Sequence, residues 1–332
     1  YQASQQAGLK QDDALMFESE LNTLDTLLLF TNLGNYIFLP VYKIDEQKWK
    51  DLGVYVNNIV PIEKDEFIIK AISVSSFDSD ETLLLATKDG MMKQAKLKEF
   101  EVSRYNKPLK CMKLSKGDEL VYVDQTERKN IIAISKRGYT LRFKTEELPL
   151  YGLQAGGVKC MSLSEHDAVV SALYVGSGDE FVILTNRGHV IKDVVDELPI
   201  YNRNRRGILI IDHQKANPHY AVSASRLSRA QNKENASVRI IAEKEALILT
   251  VSDLKYSGNK FGKKIFEESN LGSGLMIEIF KVYEPEDELK PKTMIKKPLP
   301  VIDTKDIVKE EVIEVSDKKI HLNRFDLFDE ED

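Results

Sequence analysis

The chain has 332 residues, 42% hydrophobic and 30% charged, with a formal net charge of −6; the length allows two ordinary domains or one larger repeat ring, and the apolar residues suffice for a core. Its apolar runs are of strand length, so no segment is expected to span a membrane. The first ten residues, YQASQQAGLK, carry neither a charged nor an apolar signal region and begin without Met, so the expectation is a cut-out piece of a longer, non-secreted protein.

The total charge conceals a segregation. Residues 1–179 carry 22 Lys+Arg against 26 Asp+Glu, while 180–264 carry 15 against 9. One basic segment therefore sits in an acidic chain. The two cysteines occupy matching words, Lys110-Cys111-Met112 and Lys159-Cys160-Met161. Equivalent positions one repeat apart argue against a disulfide, and buried reduced thiols are expected.

Residues 1–23 are a polar approach. Four hairpins follow, each an apolar run, a turn with glycine and a return run: 26–39 around Gly34, 82–93 around Gly90, 131–144 around Gly138 and 181–194 around Gly188. The turn glycines are 56, 48 and 50 residues apart, the spacing of an internal repeat. Glycine belongs there because a tight hairpin needs positive φ. A fifth copy at 238–245 has Glu245 in the glycine's place, so its turn is expected to be looser. The third return strand alternates, with Tyr139, Leu141 and Phe143 on one face and Thr140, Arg142 and Lys144 on the other, which reads as half-buried.

Strand-like runs at 67–74, 119–123, 168–175 and 220–227 precede the later hairpins and are read as leading into them. A further run, 275–282, has no hairpin after it, so a sixth blade is expected to be split between the two ends of the chain. The fold expectation is all-β, a propeller-like ring of six four-stranded antiparallel blades over 1–282. Residues 283–332 are proline-spaced and charged and are expected to be a flexible tail.

Catalytic chemistry is absent from this pattern. The five histidines do not fall at metal-ligand spacing, and His213 and His219 read as loop residues. No phosphate-binding loop or nucleophile elbow occurs. Gly152, Gly156 and Gly157 read as a corner turn, and Glu146-Glu147 as a solvated face. No cofactor or metal is expected within the chain itself.

What remains is cations at repeated outer positions: Lys136, Arg137 and Arg187 at hairpin turns, Arg142, Lys144 and Lys192 on return strands, Arg203, Arg205 and Arg206 in a corner loop, and Arg226 and Arg229 in the next connection. Such a stripe is the electrostatic footprint of double-stranded DNA binding, where phosphate contacts supply affinity without sequence information. A protein-binding propeller is the alternative, although the Trp-Asp dipeptide of such repeats is missing and Trp49 lies between units.

The phrase of apolar run, [Ser/Thr]-x-x-Gly, strand, Glu-Leu-Pro, Tyr and basic corner resembles the β-pinwheel C-terminal domain of bacterial type IIA topoisomerase A subunits, a family shared by gyrase and topoisomerase IV. The gyrase branch has a box Y-x-A-Q-R-R-G-G-K-G in its first blade. Here Tyr1, Ala3 and Gly8 fit that box, but Gln5 and Gln6 replace both arginines. The resemblance therefore implies the topoisomerase IV branch with a degenerate box, the gyrase branch being the alternative. It also implies a non-catalytic DNA-bending domain serving decatenation and relaxation during chromosome segregation. Its whole enzyme would use Mg²⁺ and ATP, with the B subunit of topoisomerase IV joined through parts of the chain absent here. A bacterial, cytoplasmic, nucleoid-associated location and no membrane partner would follow. The family's cleavage tyrosine lies upstream, so none of the thirteen tyrosines is given that role.

Overall fold

The hairpin turns show why the repeat phrase is written as it is. In the first four, a buried Ser or Thr hydroxyl accepts the N–H of the residue after the glycine: Thr31 from Asn35, Thr87 from Met91, Ser135 from Tyr139 and Thr185 from His189, at 3.2–3.4 Å. Gly188 has φ 70°, and a Cβ there would lie 2.6 Å from the Phe266 carbonyl oxygen, so both conformation and space call for glycine.

The computed structural model describes residues 17, 19–47, 53–126, 128–212, 218–233, 236–242, 246–256, 260–267 and 276–280. Five hairpins are formed: β1 (Thr26–Thr31) with β2 (Asn35–Pro40), β4 (Thr82–Thr87) with β5 (Met91–Lys96), β8 (Asn130–Ser135) with β9 (Tyr139–Lys144), β12 (Glu180–Thr185) with β13 (His189–Val194), and β16 (Ser237–Ile241) with β17 (Ala246–Thr250). Each is the centre of an antiparallel sheet, or blade.

The third strand of each blade comes later in the chain and pairs back onto the hairpin's first strand. These are β3 (Ile68–Val74), β7 (Leu120–Thr126), β11 (Val169–Val175), β15 (Ala221–Leu227) and β19 (Met276–Phe280). The reading of such runs as leading into the next hairpin is therefore corrected. They close the preceding blade, and Met276–Phe280 completes the fifth blade rather than standing without a hairpin. The C-terminal half of the expected sixth blade is thereby reassigned to the fifth, and its N-terminal half lies outside the described residues.

The fourth strand is borrowed. Two-residue strands β6 (Leu109–Lys110), β10 (Val158–Lys159), β14 (Ile208–Leu209) and β18 (Lys263–Lys264) each follow one hairpin but pair with the return strand of the blade before it. The sheet orders are β3-β1-β2-β6, β10-β5-β4-β7, β11-β8-β9-β14, β15-β12-β13-β18 and β17-β16-β19. Third strands of neighbouring blades pack side by side, so the borrowed strands form the outer edges.

The second, third and fourth blades are buried on both faces. Leu83 and Leu85 pack toward blade one, while Leu84 and Ala86 pack toward blade three. Ile131 and Ala133 oppose Ile132 and Ile134 in the same way, as do Phe181 and Ile183 against Val182 and Leu184. This explains continuous apolar runs in place of alternation. It also corrects the half-buried reading of β9, whose Thr140 and Arg142 are buried. Cys111 and Cys160 are free and buried in these inter-blade cores, and burial pushes each thiol up to about 12. They are structural rather than reactive.

Candidate nucleic-acid interface

Between a hairpin and the strand it lends, the chain must travel along the outer edge of the preceding blade. In the fourth repeat that path is 198–208. It starts at Leu198, buried between blades, and Tyr201 N–H then donates to Arg142 O at 2.8 Å. It ends where Ile208 pairs with Thr140. Gly207, with φ 83°, presses on the Thr140 carbonyl, where a Cβ would come within 2.3 Å. Between these points the chain bulges off the edge of β9. Glu147 accepts the Arg203 N–H at 2.9 Å, so this carboxylate pins the corner and is not merely a solvated face. Asn204, at φ 62°, donates its N–H to Cys160 O at 2.6 Å.

The corner thus carries its arginines outward. Arg205 and Arg206 are exposed. Arg206 lies over the Tyr139 ring, 5.4 Å from its centroid. Arg203 is half-buried and donates through Nη1 to Lys159 O at 3.0 Å. At the third hairpin turn Lys136 is exposed, 5.4 Å from the Tyr220 ring centroid, and Arg137 is half-buried. Arg187 at the fourth turn is half-buried, its Nη1 3.3 Å from His219 Nε2. Arg229 is exposed, and its N–H donates to Asp179. Arg226 faces inward on β15 and donates to Tyr174 O at 3.2 Å, away from the corners. Lys144 is exposed and paired with Glu146 at 3.2 Å.

Two expected outward cations are buried. Arg142, 7% exposed, donates through Nη1 to Val195 O and Leu198 O at 2.8 and 3.1 Å and lies 3.6 Å from Asp196. Lys192, 9% exposed, pairs with Glu180 at 2.8 Å beneath the Tyr256 ring. The reason is the burial of both blade faces: the fourth residue after the third and fourth turn glycines points into the inter-blade gap, where Arg142 bonds to the next repeat and Lys192 pairs within its own hairpin under a ring of the next. Gln94 does in blade two what Arg142 does in blade three, donating to Thr145 O and Leu148 O. Arg142 and Lys192 therefore leave the candidate interface. His219 is likewise no plain loop residue. It is buried, at a place where Glu66, Asp118 and Asp167 accept hydrogen bonds from the other turns.

Sequence reasoning missed the corner of the fifth repeat, where Lys260, Lys263 and Lys264 are exposed on the edge of blade four. The signal was present: Tyr256 and Gly262 stand as far apart as Tyr201 and Gly207. Lys110 and Lys159, exposed on the borrowed strands of blades one and two, were also passed over. The box residues Tyr1, Ala3, Gln5, Gln6 and Gly8 lie outside the described residues, as does the tail. Among the described residues no group of acids, histidines and cysteines could hold a metal, and no helix is long and apolar enough to cross a membrane.

Comparison with known proteins agrees with this architecture. A family model described as DNA gyrase C-terminal domain, beta-propeller, matches residues 25–75, 81–127 and 129–175. The chain is 38% identical over 218 residues to the A subunit of DNA topoisomerase 4 from Staphylococcus aureus, a match that covers 65% of this chain and 27% of that protein. It thus spans about a quarter of the length of such relatives. The crystal structure of the C-terminal domain of DNA topoisomerase IV superposes with TM-score 0.73 at 33% identity, covering 82% of this chain and 85% of that one. A DNA gyrase A C-terminal domain matches in fold, with TM-score 0.61 at 20% identity over 78% of this chain and 84% of that one. With, among the described residues, five propeller-like blades of hairpin and returning third strand, four of them with a borrowed edge strand, this chain belongs to the family of C-terminal β-pinwheel domains of gyrase A and topoisomerase IV A subunits.

Proposed function

We propose that the chain is the non-catalytic DNA-engaging domain of a topoisomerase IV A subunit, binding duplex through its phosphates and bending it along the outer edges of the blades. The observation that carries this is the gathering of exposed cations from successive repeats at the turn ends of those edges. They are Lys136 at the third turn, Arg205 and Arg206 at the next corner, and Lys260, Lys263 and Lys264 at the one after, in a chain that is acidic overall. A surface that meets phosphates at intervals needs no base contacts, because charge supplies the binding and offsets the cost of bending the duplex.

In the whole enzyme this domain serves decatenation and relaxation by presenting the transported segment to a catalytic core elsewhere in the protein. That core would supply the cleavage tyrosine and Mg²⁺ chemistry, and the B subunit of topoisomerase IV would supply ATP hydrolysis. The DNA-binding unit is taken as 1–282 and the charged tail as 283–332, with the protein working at the bacterial nucleoid. The substitutions at Gln5 and Gln6 favour the topoisomerase IV branch over the gyrase branch, since a box without its two arginines has lost the charge with which to fasten a wrap.

The test is the affinity of the chain for linear duplex across a salt series. The slope of log K against log salt is expected at about −0.9 per phosphate met, so several contacts weaken binding roughly ten- to a thousandfold for a modest salt increase. An affinity indifferent to salt refutes the reading. A protein partner lost by a variant reversed at Arg203, Arg205 and Arg206, with DNA affinity unmoved, would favour the protein-binding alternative.

A further inference from the structure

The borrowed strands place one residue of each repeat at a fixed point on the outer edge. The second residue of each of the four strands pairs with the residue after a turn glycine: Lys110 with Asn35, Lys159 with Met91, Leu209 with Tyr139 and Lys264 with His189. Strand alternation directs this second residue outward, and the three lysines are exposed. The first residues Leu109, Val158 and Ile208 are half-buried, as is Leu209, while in the fourth strand Lys263 is exposed beside Lys264. The fold therefore builds a row of equivalent positions, one per blade, that the chain fills with a cation in three of four cases.

The fourth case is informative. At Leu209 the borrowed strand supplies no charge. Yet Arg206 lies across Tyr139, the residue with which Leu209 pairs, its guanidinium 5.4 Å from the ring centroid. The residues matching Arg206 in the neighbouring corners are Gly156 and Phe261, neither of which is charged. A different residue thus brings a cation to the ring of the residue that Leu209 pairs with. Surface decoration at random would not compensate in this way.

We infer that Lys110, Lys159, Arg206 and Lys264 form a ladder of equivalent phosphate contacts, one rung per blade, with Leu209 marking a rung filled from the adjacent corner. The inference rests on the DNA-binding reading and adds which residues repeat the contact. None of the four is committed to a buried partner. Lys110 donates to the Leu33 carbonyl at 3.3 Å, and Lys264 faces the exposed Glu267 at 2.6 Å, a pair that solvent and phosphate can replace at small cost.

The experiment measures linear-duplex affinity against salt for the full chain and its variants. Arg206→Gln is expected to flatten the log–log slope by about one and to weaken binding roughly three- to tenfold at about 0.1 M salt. Adding Leu209→Lys to that variant is expected to restore both slope and affinity, because the charge returns to the same rung on another residue. The triple variant Lys110→Gln, Lys159→Gln, Lys264→Gln is expected to flatten the slope by about three. Failure of Leu209→Lys to rescue a weakened Arg206→Gln overturns the ladder, as does a triple variant with the parental slope. Both leave the DNA reading intact. A parent chain without salt-sensitive duplex binding overturns that reading and the ladder together.

Discussion

The corners of the third and fourth repeats follow the same path with opposite chemistry. In both, a Tyr N–H donates to the return strand of the blade before, Tyr151 to Gln94 O and Tyr201 to Arg142 O, each at 2.8 Å. In both, a positive-φ glycine closes the corner against a carbonyl, Gly157 on Met92 and Gly207 on Thr140. The third corner, however, exposes no cation and is held from beneath by Lys93. That side chain is 0% exposed and donates to Gly152 O and Leu153 O at 2.8 and 3.0 Å. The fourth has Leu141 where Lys93 stands, with Arg205 and Arg206 exposed and Arg203 half-buried beside them. The backbone course is therefore set by the Tyr and Gly anchors, and charge is placed independently of it. Only the fourth arrangement presents charge to a partner.

The contrast can be tested by moving the charge first. Reversing Arg203, Arg205 and Arg206 to Glu is expected to weaken duplex binding about a hundredfold or more at about 0.1 M salt while the melting temperature moves little. The reverse graft, arginines at Gln154 and Ala155 in the third corner, is expected to strengthen binding. A gel-shift titration with parallel thermal melts reads both. If the anchors fix the course, Gly207→Ala should cost about 2–3 kcal/mol, through the strained φ and the clash with Thr140, and should lower DNA affinity as well. Gly157→Ala should destabilise similarly but leave DNA affinity nearly unchanged, which urea unfolding beside the same titration would reveal.

Arg142→Gln copies into the fourth corner the Gln94 that ties the third. It is expected to cost about 1–2 kcal/mol from lost bonds to Val195 and Leu198. The salt slope of DNA binding should stay put, because Arg142 meets no phosphate. A slope flattened by one would return Arg142 to the interface.

The smallest effect concerns pH. Burial lowers Lys93 from 10.5 to about 8, with Cys111 and Glu99 opposing the shift. The folded chain thus binds fewer protons than the unfolded one between about pH 8 and 10.5, so this group adds stability as pH rises through that window. Wild type should gain stability there relative to Lys93→Met, and urea midpoints of the two proteins at about pH 7 and about pH 10 decide it.

The hairpins were legible because each is a local object: an apolar run, a hydroxyl, a positive-φ glycine and a return. The partner strands were not. β3 pairs with β1 across the intervening hairpin return and loop, and β14 is two residues long, too short for any periodicity to register. The arginine corner could be read from local charge alone. Arg142 and Lys192 were misread because a strand buried on both faces can still alternate apolar and polar, and the chain does not say what lies opposite. Lys260, Lys263 and Lys264 were hidden because the hairpin before them has lost its glycine, so the repeat signal fades one corner too soon.

Because each edge strand is lent backward by one repeat, the unit of inheritance is offset from the unit of structure. If one whole repeat were lost, from its hairpin through its third strand, the blade before it would lose its lender and gain the next one in the same register. Blade number can therefore change by whole repeats without leaving any internal sheet a strand short. A transplanted repeat would carry its corner arginines onto its neighbour's edge, so exchange between related proteins would rewrite the charge of a blade whose own sequence had not changed.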